Sequence, residues 1–242
     1  MRQYKERGFT LIELLVVMTI ILILAGLILT VLPYIQSKQA RARAEGEMTA
    51  IKAALETYKA DNGTYPDDAT ITAGAGGYAK NYTDNLDART ANDPTQSTYT
   101  NAGLVLYRAL SGDRNLDRST TAADMNYNLD GNSASTSLVA PPTIYYPFNS
   151  NMLLPSGGTG TVTNLVDPFG YNYGYSTAYQ GDVAINNANG TTTPPVNGYN
   201  PTYDLWSTGG QVGQASDTPA QSQVRRAKWL INWQNSGANV GQ

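Results

Sequence analysis

The chain contains neither cysteine nor histidine among its 242 residues. Their absence excludes disulfides, thiol nucleophiles, Ser-His-Asp triads and histidine-ligated zinc or iron. The sequence also offers no nucleophile next to a base, no phosphate-binding loop and no convincing set of metal ligands. We therefore expect no enzymatic activity.

Charge is also scarce, at 14% of residues, and the formal net charge is only −3. Outside the N-terminus the basic residues are scattered, apart from a short run at Arg225, Arg226 and Lys228. This distribution argues against nucleic acid as the main partner. The chain is instead 41% hydrophobic, enough for a core, and contains 17 tyrosines and 23 glycines. Such a composition favours an extracytoplasmic surface of loops and strands.

A basic segment at the N-terminus precedes a long apolar run from Phe9 to Leu32. As a helix, these 24 residues would span about 36 Å, enough to cross the roughly 30 Å hydrocarbon core of a membrane. The basic flank predicts that the N-terminus stays in the cytoplasm. The run is too long for an ordinary secretory signal and no Ala-x-Ala follows it, so it should remain in the mature protein. Its single charge, Glu13, needs a partner in lipid.

Residues 8–17, which begin with Gly8 and Phe9 and include Glu13, resemble the N-terminal motif of type IV pilins and type II secretion pseudopilins. The resemblance implies that residues 1–8 are a leader, cut between Gly8 and Phe9 by a prepilin peptidase that N-methylates Phe9. It also implies that Glu13 pairs with the N-terminal amine of a neighbouring subunit. An α-amino group has a pKa of about 8 and could neutralise a carboxylate in lipid. A plain signal anchor with an accidental glutamate is the alternative.

The apolar run is followed by an amphipathic segment. We expect residues 9–33 to form a transmembrane helix that becomes the filament core, with a kink or membrane exit at Pro33. Residues 34–62 should continue this helix with an apolar stripe formed by Met48, Ile51, Leu55 and Tyr58. Charged residues, Glu47 among them, are assigned to the opposite face. The stripe should pack on the chain's own globular head, a functional patch being the alternative.

Turn-forming residues interrupt the rest of the chain, so we expect a globular head over residues 63–242. Residues from about 67 to 165 look like a loop-rich insertion, with a short helix at 104–110 and strands at 143–148 and 151–154. The part from about 166 to 242 should be rich in strands. The predicted fold class is therefore α+β, a long N-terminal helix packed on a small antiparallel sheet with long loops.

The C-terminal part carries a second resemblance. An Asp-Pro-Phe-Gly turn at 167–170, a Tyr-Asp-Leu-Trp-Ser-Thr-Gly segment at 203–209 and an Asn-Trp pair at 232–233 are similar in order to those of the major, G-type pseudopilins of type II secretion. Between the first two motifs, Tyr171, Tyr173 and Tyr175 alternate as on one face of a strand. We interpret this face as core or subunit contact, with a binding platform as the alternative.

Calcium is retained as a cofactor hypothesis. Major pseudopilins commonly bind calcium after the second motif, but here Asp217 is the single acidic residue across 209–223. Elsewhere, a second set of oxygen-bearing side chains is spaced like an EF-hand loop: Asp113, Asn115, Asp117 and Asp124. Arg118 occupies the position where that loop needs glycine. A polar surface turn with capping side chains is the alternative.

The two resemblances predict a structural subunit of a type II secretion pseudopilus, which polymerises through its N-terminal helix to drive protein export. Its partners would be other copies, related minor subunits, the prepilin peptidase and an inner-membrane platform with a cytoplasmic ATPase. We expect a precursor in the bacterial inner membrane with its head in the periplasm, and then a periplasmic or cell-surface filament. One alternative is a surface type IV pilin for adhesion, motility or DNA uptake. The other is a membrane-anchored enzyme or ligand-binding head.

Overall fold

The computed structural model describes residues 8–68, 70–72, 77–79, 81–132, 142–213 and 217–233. The chain divides into two compact units, residues 1–42 and 43–242. The boundary lies inside helix α1, Leu11–Asn62. Within the described residues, α1 is the single helix long and apolar enough to cross a membrane.

The first unit contains the apolar half of α1. Its large aliphatic side chains are exposed in the isolated chain, as expected for a surface that faces lipid or other helices. The hydroxyls of Thr19 and Thr30 donate to the carbonyls of Leu15 and Leu27, so both are satisfied within the helix. The helix also continues through Pro33, in agreement with the predicted continuity between its two halves.

The second half of α1 supplies one wall of the core. Ala44, Met48, Ile51, Ala54 and Leu55 are buried and recur at helical spacing, which confirms the predicted apolar stripe. The assignment of Glu47 to the charged face is wrong. Its side chain is only 9% exposed because it lies beside the stripe and meets a tyrosine of the core.

The segment from 67 to 165 holds more regular structure than predicted. After hairpin β1 (Thr70–Thr72) and β2 (Gly77–Ala79) come helix α2 (Tyr82–Asn85) and helix α3 (Ser97–Ser111). Helix α3 includes the expected helix at 104–110 but is longer. Most of its residues from Ala102 onward are buried, so it belongs to the core rather than to a loop-rich insertion.

The strand predicted at 143–148 is wrong. The backbone N–H groups of Tyr145 and Tyr146 both donate to the carbonyl oxygen of Leu110, near the end of α3. A helix leaves its last carbonyls without partners inside the helix, and this segment satisfies one of them. The strand predicted at 151–154 is confirmed only as β3, Leu153–Leu154, which pairs with β4, Asn164–Leu165.

The C-terminal part forms a three-stranded antiparallel sheet. Its strands are β5 (Gly174–Ser176), β6 (Asp204–Ser207) and β7 (Leu230–Ile231), in the order β5-β6-β7. The segment between β5 and β6 contains helix α4, Ala178–Ala188, and helix α5, Pro219–Arg226, precedes β7. The molecule is therefore α+β, as predicted.

Candidate functional site

The start of α1 is organised by a reciprocal pair of side chains. The backbone N–H and the hydroxyl of Thr10 donate to Oε2 of Glu13 at 2.9 and 2.8 Å. The N–H of Glu13 lies 3.3 Å from the hydroxyl of Thr10. Together these bonds form a capping box, which satisfies backbone donors that the first turn of a helix leaves free.

The capping box leaves part of Glu13 available. It occupies Oε2, and within the described residues Oε1 of Glu13 accepts no hydrogen bond. Phe9 is 83% exposed, and Gly8 lies in exposed, non-helical backbone just before the helix. The predicted cleavage bond therefore lies on accessible chain, and a carboxylate oxygen nearby remains open to an external cation. Residues 1–7 of the predicted leader lie outside the described residues.

The first candidate calcium ligand, Asp113, is satisfied by the protein itself. One oxygen accepts from the hydroxyl of Tyr107 and the N–H of Arg118, both at 2.8 Å, and the other accepts from the N–H of Asp117. Burial raises the pKa of the Asp113 carboxyl, although these hydrogen bonds oppose the shift. Arg118 has a φ of 72°, so it adopts the left-handed conformation for which the sequence pattern expected glycine.

Asp124 is equally engaged. It accepts from the N–H groups of Arg114, Asn115 and Thr121, at 2.8, 3.0 and 2.7 Å. The amide oxygen of Asn115 accepts from the N–H of Asp117. Asp113, Asn115, Asp117 and Asp124 thus stabilise a turn by accepting backbone hydrogen bonds. Within the described residues, no group of three or more acidic side chains is arranged to hold a metal.

Asp217 lies elsewhere, 2.9 Å from Nε of Arg225 in an ion pair. The geometry at 113–124 therefore favours the polar-turn interpretation, because its oxygens already accept backbone hydrogen bonds, and this donor set does not fit calcium.

The two C-terminal motifs position structural carboxylates. Asp167 accepts from the N–H groups of Phe169 and Tyr171, which closes the predicted turn, and from the hydroxyl of Ser207 at 2.5 Å. The last bond joins the turn to β6. Burial raises the pKa of Asp167, an effect that the three hydrogen bonds partly oppose.

Asp204 plays a similar role at the start of β6. Its oxygens accept from the N–H groups of Tyr199 and Asn200, at 2.7 and 3.0 Å, and fix the approach of the chain to β6. Burial raises the pKa of Asp204 to about 6.

Tyr173 and Tyr175 are fully buried, which confirms the core interpretation for these two side chains. The hydroxyl of Tyr173 donates to Oε2 of Glu47, and that of Tyr175 donates to the carbonyl of Pro66, both at 2.8 Å. Tyr171 is half-buried and belongs to the preceding turn rather than to β5. Sequence analysis did not identify Glu47 as a partner of the core. The available signal was Arg43, because a basic residue four positions before a glutamate is typical of an ion pair along a helix.

An apolar helix able to span a membrane, a capped glutamate near its start and small antiparallel sheets are consistent with an α+β pilin-like fold. The Prokaryotic N-terminal methylation motif matches residues 3–29. Over its N-terminal region the chain is also similar to type II secretion system core protein G of several bacteria.

Three relatives illustrate the extent of this similarity. The Pectobacterium carotovorum protein is 40% identical over 63 residues, 26% of this chain and 40% of that protein. The Pseudomonas aeruginosa protein is 45% identical over 69 residues, 27% of this chain and 46% of that protein. The Escherichia coli protein is 42% identical over 62 residues, 26% of this chain and 43% of that protein. The matched region thus spans less than half the length of these relatives. No solved structure matches the chain.

Proposed function

We propose that this protein is a structural subunit of a type II secretion pseudopilus, which polymerises through the apolar half of α1. The observation that carries the proposal is the start of α1, where an apolar surface contains one carboxylate, Glu13, with an oxygen left open. The similarity to core protein G over the N-terminal region supports the same conclusion.

In this proposal the peptidase cuts between Gly8 and Phe9, and the new amine of Phe9 carries a methyl group. Burial of a carboxylate in an apolar filament is costly unless an opposite charge lies close to it. The amine of a neighbouring Phe9 supplies that charge to Glu13. The ion pair sets the axial position of each incoming subunit, and van der Waals packing between the apolar helices contributes the rest of the association energy.

The proposed setting follows from the same helix. The precursor is anchored in the bacterial inner membrane with residues 43–242 in the periplasm, because the basic residues before the apolar run favour a cytoplasmic N-terminus. The partners are other copies of the chain, related minor subunits, the prepilin peptidase and an assembly platform with a cytoplasmic ATPase. The filament then pushes cargo protein outward from the periplasm.

The decisive variant is Glu13→Ala. We expect normal cleavage and at least a tenfold loss of filament, because loss of one desolvated ion pair per subunit costs several kcal/mol. The measurement is the amount of filament sheared from cells, beside the mass of the processed subunit. Asp61→Ala, which removes an exposed carboxylate near the other end of α1, is the matched control and should assemble normally. Normal filament yield from Glu13→Ala would contradict the proposal.

Gly8→Val tests processing separately. A branched side chain at the residue before the cut should block entry into the protease, so the chain should accumulate with its leader attached, eight residues longer than the processed subunit. Mass spectrometry of the membrane fraction distinguishes the two forms. Ala60→Val changes a small exposed residue elsewhere on α1 and should be processed normally.

Two measurements together distinguish the export role from a surface pilus: electron microscopy of cells that overproduce the chain, and an export assay in cells that lack its gene. The export role predicts that deletion of the gene leaves cargo in the periplasm. Long fibres on the cell surface together with normal export would instead support a surface type IV pilin.

A further inference from the structure

We propose that Glu47 is a positioning residue that fixes the second half of α1 in one register against the sheet, so that every subunit carries its head in the same orientation when it assembles. The inference rests on the proposed filament function. It concerns residues 43–62 of α1, which we call the stem, and the strands that pack on them.

Both oxygens of Glu47 have a specific partner. Oε1 lies 2.8 Å from Nε of Arg43, one turn earlier on the stem, and Oε2 accepts from the hydroxyl of Tyr173 at 2.8 Å. The Glu47 side chain is 9% exposed, while Arg43 is 46% exposed and reaches solvent. Glu47 is the one charged residue among the buried residues of α1.

Tyr173 joins this carboxylate to the sheet. It lies directly before β5, and its N–H donates to the carbonyl of Leu165 in β4. One buried carboxylate on the stem is therefore connected through one side chain to two strands. Burial and the neighbouring Glu47 raise the pKa of the Tyr173 phenol above its ordinary value, so the phenol remains a proton donor at neutral pH.

The apolar contacts of the stem do not have this directional character. Met48, Ile51 and Leu55 are buried against the head, but apolar burial is proportional to area and tolerates small rotations and shifts of a helix. A buried carboxylate is different, because a register that separates Oε2 of Glu47 from the hydroxyl of Tyr173 leaves that charged oxygen in the core without its donor, whereas Arg43 moves with Glu47 on the same helix. Glu47 therefore excludes alternative registers that the apolar stripe alone would allow.

A filament repeats the same contact at every subunit, so a variable angle between stem and head would interrupt head-to-head packing. A single exchange tests this step: Tyr173→Phe keeps the ring and removes only the hydroxyl. Tyr175→Phe is the matched control, since Tyr175 is equally buried and donates one hydrogen bond of the same length, but to Pro66 rather than to the stem.

The experiment uses the full chain in two assays. In detergent, spin labels on Thr49→Cys of the stem and Thr163→Cys beside β4 report the distance between the two elements. Both positions are exposed, and the chain has no other cysteine. We expect a broader distance distribution for Tyr173→Phe than for Tyr175→Phe, at similar losses in thermal midpoint. In cells, filament yield should fall several-fold for Tyr173→Phe alone.

A second variant separates positioning from general stability. Glu47→Gln retains an oxygen that accepts from Tyr173, so it should keep the narrow distribution and most of the filament, whereas Glu47→Leu should lose both. Equal distributions and equal yields for Tyr173→Phe and Tyr175→Phe would overturn the inference. If the wild type forms no filament, or Glu13→Ala forms it normally, the proposed function fails instead, and the spin-label distances still decide whether Glu47 fixes the register.

Discussion

Buried carboxylates that accept backbone hydrogen bonds hold the loops of the head in place. Asp204 is the clearest case, since it is almost fully buried and accepts from two successive backbone N–H groups. Within the part of the chain that the structure describes, no cationic side chain is hydrogen-bonded to Asp204, although Arg89 lies close enough to favour its ionised form and Asp87 opposes that effect. Desolvation dominates, which is why its pKa rises.

This pKa predicts how stability depends on pH. The pKa of Asp204 is about 6 in the folded chain and about 4 when unfolded, so protonation favours folding. The stabilisation is complete below pH 4 and is lost as pH rises through 6. Asp204→Asn, which mimics the neutral form, lacks this dependence. Between pH 7 and 4, the wild type should therefore gain on the order of 2 kcal/mol relative to the variant. Denaturant unfolding of the full chain in detergent measures the difference.

Asp117→Asn is the control of opposite sign. Asp117 is exposed, and hydrogen bonds from the side chain and backbone of Ser119 lower its pKa. Its contribution is present above the unfolded pKa and is lost as pH falls through the folded one. The wild type should therefore lose stability relative to this variant on acidification. Parallel pH profiles for Asp117→Asn and Asp204→Asn would contradict both assignments.

At the residue scale, the sequence predicted the buried tyrosines but not their partners. Alternation placed Tyr173 and Tyr175 on one face, and the structure buries both. The acceptors lie 126 and 109 residues away in the chain, at Glu47 and Pro66. No local pattern specifies contacts over such separations. A helical charge pattern alone therefore assigned Glu47 to solvent.

At the scale of elements, the sequence did not predict that α3 belongs to the core, because it lies in a segment interpreted as a loop-rich insertion. Leu106 is fully buried in the same cluster as Met48 and Leu55 of α1. Leu106→Ala should lower the free energy of unfolding by about 2 to 5 kcal/mol, because it removes buried methyl groups and leaves a cavity. Thr98→Ala, at an exposed position of the same helix, should change it by less than about 0.5 kcal/mol. Equal effects would show that α3 is not a core element.

Element boundaries could be predicted only where the pattern was long. The 52 residues of α1 combine an apolar run with a helical stripe, and both halves are visible in the sequence. In contrast, the apolar residues at 143–148 resemble a strand, but their backbone groups bond to the end of α3. Strands of two or three residues, such as β3 and β7, contain too few positions for alternation to be recognised.

At the scale of the whole molecule, the buried part of α1 belongs to the core of the second unit. A chain that starts at Ser37 retains every buried residue of α1, beginning with Ala44. It should be soluble and unfold cooperatively. A chain that starts at Asn62 lacks the buried stripe, each large member of which contributes about 1.5 to 3 kcal/mol. For Met48, Ile51 and Leu55 together the loss is about 4.5 to 9 kcal/mol, comparable with the roughly 5 to 15 kcal/mol stability of a domain, so this chain should be largely unfolded.

Circular dichroism and thermal unfolding of the two truncated chains provide the measurement. A cooperative transition in the shorter chain would show that the head holds together without the stem. Aggregation of the longer chain would show that the apolar half of α1 is needed for folding as well as for anchoring.

Across the molecule, sequence reasoning was most informative at the two ends, where short motifs coincide with fixed geometry. Glu13 lies three residues after Thr10, the spacing of a capping box, and Asp167 begins a turn that its own side chain closes. The middle of the chain contains no local motif from which its structure could be predicted in this way. Its path depends on where α3 packs, and that depends on the entire core.

The hydroxyls of four buried tyrosines form specific hydrogen bonds that connect α3, β5 and the residue before β5 with other parts of the chain. Tyr99 accepts from Nε1 of Trp206, Tyr107 donates to Asp113, and Tyr173 and Tyr175 donate to the stem and to the loop after it. A strand shifted by one residue would leave these polar groups unpaired in an apolar interior. These non-covalent pairs therefore favour the native strand registers over shifted ones. Because the sequence contains no cysteine, none of these pairs depends on the oxidation of a thiol.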